Sequence, residues 1–340
     1  MNNLTKRYLF LILIFLSSCS ENTIINDGNT NSSKDIFYLK FLQAGQFFSL
    51  ETYSITSDGT NNKLFIDSLF VTSTSYYGKV TLGRIAGGFF YYEKLYVINT
   101  DGTNMIQIPR NDLFPVYFIL SPRGDKVLFT TAQGNYLCVI NSDGTNFLQL
   151  SDRNSGEIIP QFSPDGNSIA FMEFIPSVSK GLHVINTDGT NKTLVKDSIS
   201  KSYGATLDWS PDGNKIVFEN NDPFPTRICT INKDGSGYTI LTEGTNPSWS
   251  PDGSKICFLN YINQATELLL MNADGSNQKN ISNTNLQYEN SPRWSPDSKQ
   301  ILFSYQQNSN DLKLKIYDLI SMETRLLADS ATSGFWTYYK

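Results

Sequence analysis

Histidine is nearly missing from this chain of 340 residues, which contains one. Chemistry that needs two or three imidazoles, such as a multi-histidine metal centre, is therefore out of reach. Cysteine is scarce as well, at four, too few to staple a chain of this length into a disulfide scaffold. Charged residues make up only 17%, against 39% hydrophobic and 13% aromatic, so a folded core is expected and an acidic disordered chain is not. Basic excess is absent: 27 Lys and Arg face 32 Asp and Glu, which argues against nucleic acid as a partner. Apolar runs are short. The one at Tyr8 to Leu16 stops well before the about 20 residues that a membrane-crossing helix requires. Length alone would suggest about two domains.

What is present begins with an address. Lys6 and Arg7 precede the apolar run, as in a secretory signal. Leu16-Ser17-Ser18-Cys19 resembles the bacterial lipobox, which implies cleavage before Cys19 and acylation of that cysteine. Two or three acyl chains hold a protein firmly at a membrane, where a single one is marginal. Residues 1–18 are thus read as a lipoprotein signal peptide and 19–35 as a flexible polar tether. Ser20 is not the Asp expected of inner-membrane retention, which points to the outer membrane, on its periplasmic or surface side. Removing Lys6 and Arg7 leaves the mature chain more negative. Cys138, Cys229 and Cys257 fall in apolar strand patterns and read as small buried hydrophobes.

The remainder, 36–340, is one phrase repeated. Asp-Gly within Ile-Asn-x-Asp-Gly-x-Asn or a looser form recurs at Asp58, Asp101, Asp143, Asp188, Asp234 and Asp274. Ser-Pro-Asp-Gly or a near variant starts at Ser121, Ser163, Ser210, Ser250 and Ser295. Both phrases return every 40–47 residues, the signature of a propeller or a solenoid. Residues 204–241 distinguish the two. A short run ending in Trp209 is followed by a Pro-Asp-Gly turn, then Lys215 to Glu219, a variable loop, Arg227 to Ile231, an Asp-Gly hairpin, and Tyr238 to Leu241. Asp-Gly is expected to make a type I′ turn, with two residues at φ > 0. Four antiparallel strands per repeat make the blade of an all-β propeller.

These phrases resemble the repeats of TolB-type propellers, distant relatives of WD-repeat blades, over essentially the whole mature chain. The resemblance implies a fold far more strongly than a function. It also sets two contrasts: TolB itself carries an N-terminal α/β domain, and some related propellers precede a serine-peptidase domain, where here a short tether and a final blade are expected.

Calling the strands of a blade A to D from the inside out, complete units start near residues 114, 158, 204, 245 and 290, with a degenerate one near Phe70. An N-terminal piece supplies B, C and D strands (from Ile36, into the Asp58 phrase, and at Lys63 to Ile66). A C-terminal piece, Gly334 to Thr337, matches an A strand. A seventh blade shared by the two ends would remove an exposed edge. The alternative is six blades with the N-terminal strands as a flap.

The geography follows. A–B and C–D turns are stereotyped and lie on one face. B–C and D–A connections vary and lie on the other, where binding usually sits. Phe174, Tyr203, Phe224, Tyr261 and Tyr288 in or beside those connections are candidate partner contacts. Gln161, Asp208, Ser248 and Arg293, just before the Trp-equivalent position of the A strands, are candidate ligand groups in the central channel, or else a solvated lining. His183 sits where sister blades place Tyr96, Cys138, Cys229 and Leu269, which marks it as a packing residue. There is no Gly-x-Ser-x-Gly elbow, no calcium-loop spacing and no evident carboxylate pair. The expectation is a non-enzymatic envelope scaffold, without cofactor or metal, that holds a protein or glycan. The alternative is a polysaccharide-active or carbohydrate-sensing enzyme that uses channel carboxylates.

Overall fold

Ile216, Val217 and Phe218 run without a polar break, and all three are fully buried. Successive side chains of a strand point to opposite faces, so both faces of this strand must be covered. They are: Ile216 and Phe218 pack with Trp209 against Ala170, Met172 and Leu182, while Val217 meets Trp249, Ile256 and Phe258. Each sheet is thus sandwiched between the sheet before it and the sheet after it. Seven apolar clusters of this kind fill seven gaps between neighbouring sheets, and together they are the core.

The computed structural model describes residues 35–44, 47–66, 69–74, 79–85, 92–109, 115–132, 135–151, 158–175, 179–199, 206–222, 224–262, 264–282, 288–306 and 312–336. The signal, the tether and Cys19 lie outside them. The described residues form strands and turns, with no helix long and apolar enough to cross a membrane. Seven four-stranded antiparallel blades stand in a ring. In chain order, the inner strands of blades 1 to 7 are Phe70–Thr74, Pro115–Leu120, Ile158–Phe162, Leu207–Trp209, Thr245–Trp249, Tyr288–Trp294 and Ala331–Trp336.

Blade 7 is built from both ends of the chain. Its inner strand Ala331–Trp336 pairs with Asp35–Ala44, followed by Phe47–Thr56 and Lys63–Ile66. Ile36 sits opposite Trp336, Phe37 opposite Phe335, and Tyr38 opposite Gly334. A Cβ on Gly334 would come within 2.6 Å of Leu302 Cδ2 in blade 6, so a larger residue there would have to push leucine side chains of that blade aside. The seven-blade expectation holds, and the six-blade alternative does not. The two-domain prior fails with it, because repeats share one closed ring.

The turns differ from expectation in an instructive way. At φ +83 to +88, Gly102, Gly144, Gly189, Gly235 and Gly275 take the left-handed region, but the Asp before each does not. The hairpin is therefore not type I′. Gly102 N donates to Asn99 O at 2.9 Å, and Asn99 N donates to Thr103 O at 3.0 Å, closing a wider loop. Asp is there for its carboxylate: Asp101 Oδ1 accepts from Thr103 N at 2.9 Å and Thr103 Oγ1 at 2.6 Å. Asp143, Asp188, Asp234 and Asp274 repeat this pair of bonds. The Ser-Pro-Asp-Gly turn works alike, with Ser163 Oγ donating to Asp165 Oδ1 at 2.6 Å and accepting from Ser168 N at 2.9 Å. Both turn families lie on one face, as expected: Thr187 N of one donates to Asn167 O of the other at 3.0 Å.

Candidate functional site

The inner strands of all seven blades enclose a central channel of about 800 Å³. Alternation along each strand decides which side chains line it. In Leu207–Trp209, Leu207 and Trp209 are buried between blades and Asp208 is only partly covered. In Thr245–Trp249, Pro247 and Trp249 are buried and Ser248 is partly covered. Gln161, Asp208, Ser248 and Arg293 all line the channel, as the sequence pattern anticipated.

These four groups do different things. Asp208 is a strap between blades. Its Oδ1 accepts from Trp209 N at 2.9 Å; its Oδ2 accepts from Trp249 N at 2.9 Å and Ser248 Oγ at 3.1 Å in the next blade. Ser73 does the same job in blade 1, accepting from Leu120 N of blade 2 at 2.8 Å. Desolvation in the channel wall pushes Asp208 up to about 6, against the pull of its donors and of the Arg293 charge. Arg293 is exposed in the channel, its guanidinium over the Phe335 ring at 5.3 Å. Gln161 Nε2 donates to Tyr117 Oη at 3.4 Å, and burial pushes the Tyr117 phenol up to about 12.

Tryptophans lock the wall from behind. Trp209 Nε1 donates to Gln161 O at 3.3 Å, Trp294 Nε1 to Ser248 O at 3.1 Å, and Trp336 Nε1 to Arg293 O at 3.1 Å, each reaching into the preceding blade. Trp249 breaks the series: among the described residues its Nε1 is buried without a hydrogen-bond partner. The equivalent acceptor would be the backbone oxygen of Asp208, to which the Trp249 indole does not bond.

Of the candidates at the variable face, Phe224 and Tyr261 stand out, 82% and 66% exposed in adjacent blades 4 and 5. Phe224 lies in the B–C connection. Tyr261 belongs instead to the strand Lys255–Ile262, opposite Thr266, because that hairpin stays paired almost to its tip. Phe174 is likewise in a strand, Ser168–Ile175, opposite Lys180, and Tyr288 opens the inner strand of blade 6, opposite Gln306. The loops assigned to these three are thus shorter than expected, since cross-strand pairing continues past the apolar stretch. Tyr203 lies outside the described residues, as does Cys19.

Three features escaped the sequence reading. Tyr117 lines the channel two positions before Ile119, and the two-residue alternation of a strand was the signal that placed it there. Glu219, buried in blade 4, ties the upper wall together: its Oε1 accepts from Thr206 N and Oγ1 at 3.1 and 2.8 Å and from Asn246 N of blade 5 at 2.8 Å. His183 does pack as a strand residue, stacked on Phe171 at 5.6 Å, but it also meets buried Glu173 at 3.5 Å, which Lys192 neutralises at 2.6 Å. Burial holds His183 below its ordinary value against the pull of Glu173. The three cysteines are buried and belong to the gap clusters. No group of three or more metal-ligating side chains comes together among the described residues.

The TolB beta propeller domain family matches residues 130–335. Among solved structures, a putative TolB from Agrobacterium tumefaciens is 18% identical with a TM-score of 0.54, covering 69% of this chain and 88% of that one. TolB from Acinetobacter baumannii is 12% identical with a TM-score of 0.55, covering 89% and 82%. A puromycin-hydrolyzing peptidase from Mycobacterium tuberculosis is 11% identical with a TM-score of 0.60, over 76% of this chain but 47% of the peptidase. The chain therefore spans about half the length of that enzyme. Such identities speak for the fold alone. No curated protein matches. With the family pattern running over more than half the chain and seven blades closed in a ring, the protein belongs to the TolB β-propeller family.

Proposed function

We propose that the protein is a cell-envelope lipoprotein, anchored through Cys19, whose propeller is a non-enzymatic scaffold for a protein partner bound at the variable-loop face. The observation that carries this reading is the pair Phe224 and Tyr261, large aromatics left 82% and 66% exposed on neighbouring blades of that face. Aromatic side chains of this kind dominate the energy of protein interfaces, and a rigid frame that displays them loses little entropy on binding.

The entry point of the chain supports it. Asp35 begins the second strand of blade 7 and pairs with Thr56, next to the Asp58 turn, so the polypeptide enters the ring on the stereotyped turn face. A lipid at Cys19 would hold that face toward the membrane and leave Phe224 and Tyr261 pointing away. The bonding of Asp208 supports binding over turnover, since both of its oxygens are engaged by the wall.

The test is crosslinking in the intact envelope followed by recovery of the protein, comparing the native chain with a Phe224→Ser, Tyr261→Ser double variant. A partner recovered with the first and lost with the second supports the reading. Equal recovery, or none with either, overturns it.

A further inference from the structure

We propose that the central channel binds a hydroxylated monocarboxylate of the sugar-acid class, with Arg293 taking the carboxylate. Arg293 is the starting point. Among the described residues its guanidinium stacks over Phe335 at 5.3 Å and makes no hydrogen bond or ion pair. Asp208 does not serve as its partner, because that carboxylate is already bonded to Trp209, Ser248 and Trp249. A guanidinium carries five donors in a planar fork that fits a carboxylate through two parallel bonds. Here the fork faces a channel of about 800 Å³, within the size range of single small-molecule sites.

The other lining groups narrow the ligand. Tyr117 and Asp208 line the same cavity as Arg293, and both feel its charge. Gln161 Nε2 donates to the Tyr117 oxygen at 3.4 Å, which leaves the phenol proton free to point at a ligand. With its phenol pushed up to about 12, Tyr117 remains a donor at any working pH. Ser248 and Asn246 add short polar groups, and the partly exposed Phe335 adds apolar surface for C–H faces. Hydroxyls on the ligand suit this mixture. A phosphate dianion would meet the Asp208 carboxylate in the same wall with about twice the charge of a monocarboxylate, and so with more repulsion. An α-amino acid would bring a cation toward Arg293 with no unengaged carboxylate to receive it.

Isothermal titration of the purified protein with glucuronate tests this, with glucose, glucose 6-phosphate and glutamate as the comparison set. Expected is glucuronate binding in the millimolar range or tighter, at least tenfold weaker binding of the other three, and at least tenfold loss for glucuronate in Arg293→Gln. Tyr117→Phe should weaken glucuronate several-fold. It also keeps the test decisive if Arg293→Gln does not fold. Equal binding of glucose, tighter binding of the phosphate or of glutamate, or glucuronate affinity unchanged in the variants overturns the proposal. Trimeric glucuronate oligosaccharide added to the same titration separates a free sugar acid from the end of an acidic glycan: either binding source satisfies the proposal, and failure of both overturns it. The channel is apart from Phe224 and Tyr261, so failure here leaves the partner reading standing, and the reverse.

Discussion

The turn face and the channel wall use the same amino acid to opposite ends. Asp101, Asp143, Asp188, Asp234 and Asp274 each spend their carboxylate on a Thr or Ser two residues away. Asp208 spends its own on a residue 41 positions along, in another blade. The bonds of these turn aspartates shape a loop inside one blade. Bonds in the wall hold blade to blade. Repetition serves the first task, because every loop is solved alike. The second sets each position against a different neighbour, so the residues there diverge.

Breaking a between-blade contact should cost most where the ring closes. Trp336 is 2% exposed, bonds to Arg293 O and fills the gap between blades 6 and 7. Trp336→Ala is expected to lose about 3–5 kcal/mol in chemical denaturation. A loss under about 1 kcal/mol would show that the clasp does not carry the ring.

Acidity separates the two regions next. The free pKa of Asp208 is 3.8 and its folded value is about 6, so between those pH values the folded chain keeps a proton that the unfolded chain releases. Stability therefore falls as pH rises through this window, by on the order of 3 kcal/mol, and this contribution is flat above it. Buried Glu219 is pushed the same way. The turn aspartates Asp58, Asp143, Asp188, Asp234 and Asp274 are held below their ordinary value by their Thr and Ser donors, so their contribution is present above about pH 4 and lost below it. Denaturation midpoints measured from pH 3 to 8 should show both limbs, and Asp208→Asn should flatten most of the fall between pH 4 and 6 while sparing the acid limb.

Smaller is the contrast within the tryptophan series. Trp294→Phe removes a bond to Ser248 O and should cost about 1 kcal/mol beyond the lost ring area. Trp249→Phe removes a nitrogen that has no partner and should cost less than Trp294→Phe in the same denaturant titration. Equal costs would mean that the indole bonds contribute nothing. Smallest of all, Phe224→Ser with Tyr261→Ser should leave stability within about 0.5 kcal/mol, since both rings already face solvent. A larger loss would make them structural.

Most of the fold was legible because repetition writes it many times over. The Asp-Gly and Ser-Pro phrases set the strand ends, and the incomplete pieces at Ile36 to Tyr38 and Gly334 to Trp336 announced their own pairing. The turn type was misread because a dipeptide rule sees Asp-Gly and misses the Thr two residues later that the carboxylate binds. At the candidate site, position was legible and role was not. Gln161, Asp208, Ser248 and Arg293 occupy one register, yet one is a strap and another is unbonded. That difference depends on what the next blade presents, a contact some 40 residues away that no local pattern encodes.

The shared seventh blade also governs time. Ile36 must wait for Trp336, so the ring stays open until that residue has been made. At about 5–20 residues per second, synthesis of the stretch between them takes roughly 15–60 s. During that interval Ile36, Phe37 and Tyr38, fully buried in the finished ring, have no inner strand to cover them. Contacts this distant in sequence are also the slowest to form after release. The arrangement that closes the ring therefore gives the nascent chain a long exposed youth, and places the final step of folding at the strand Ala331–Trp336.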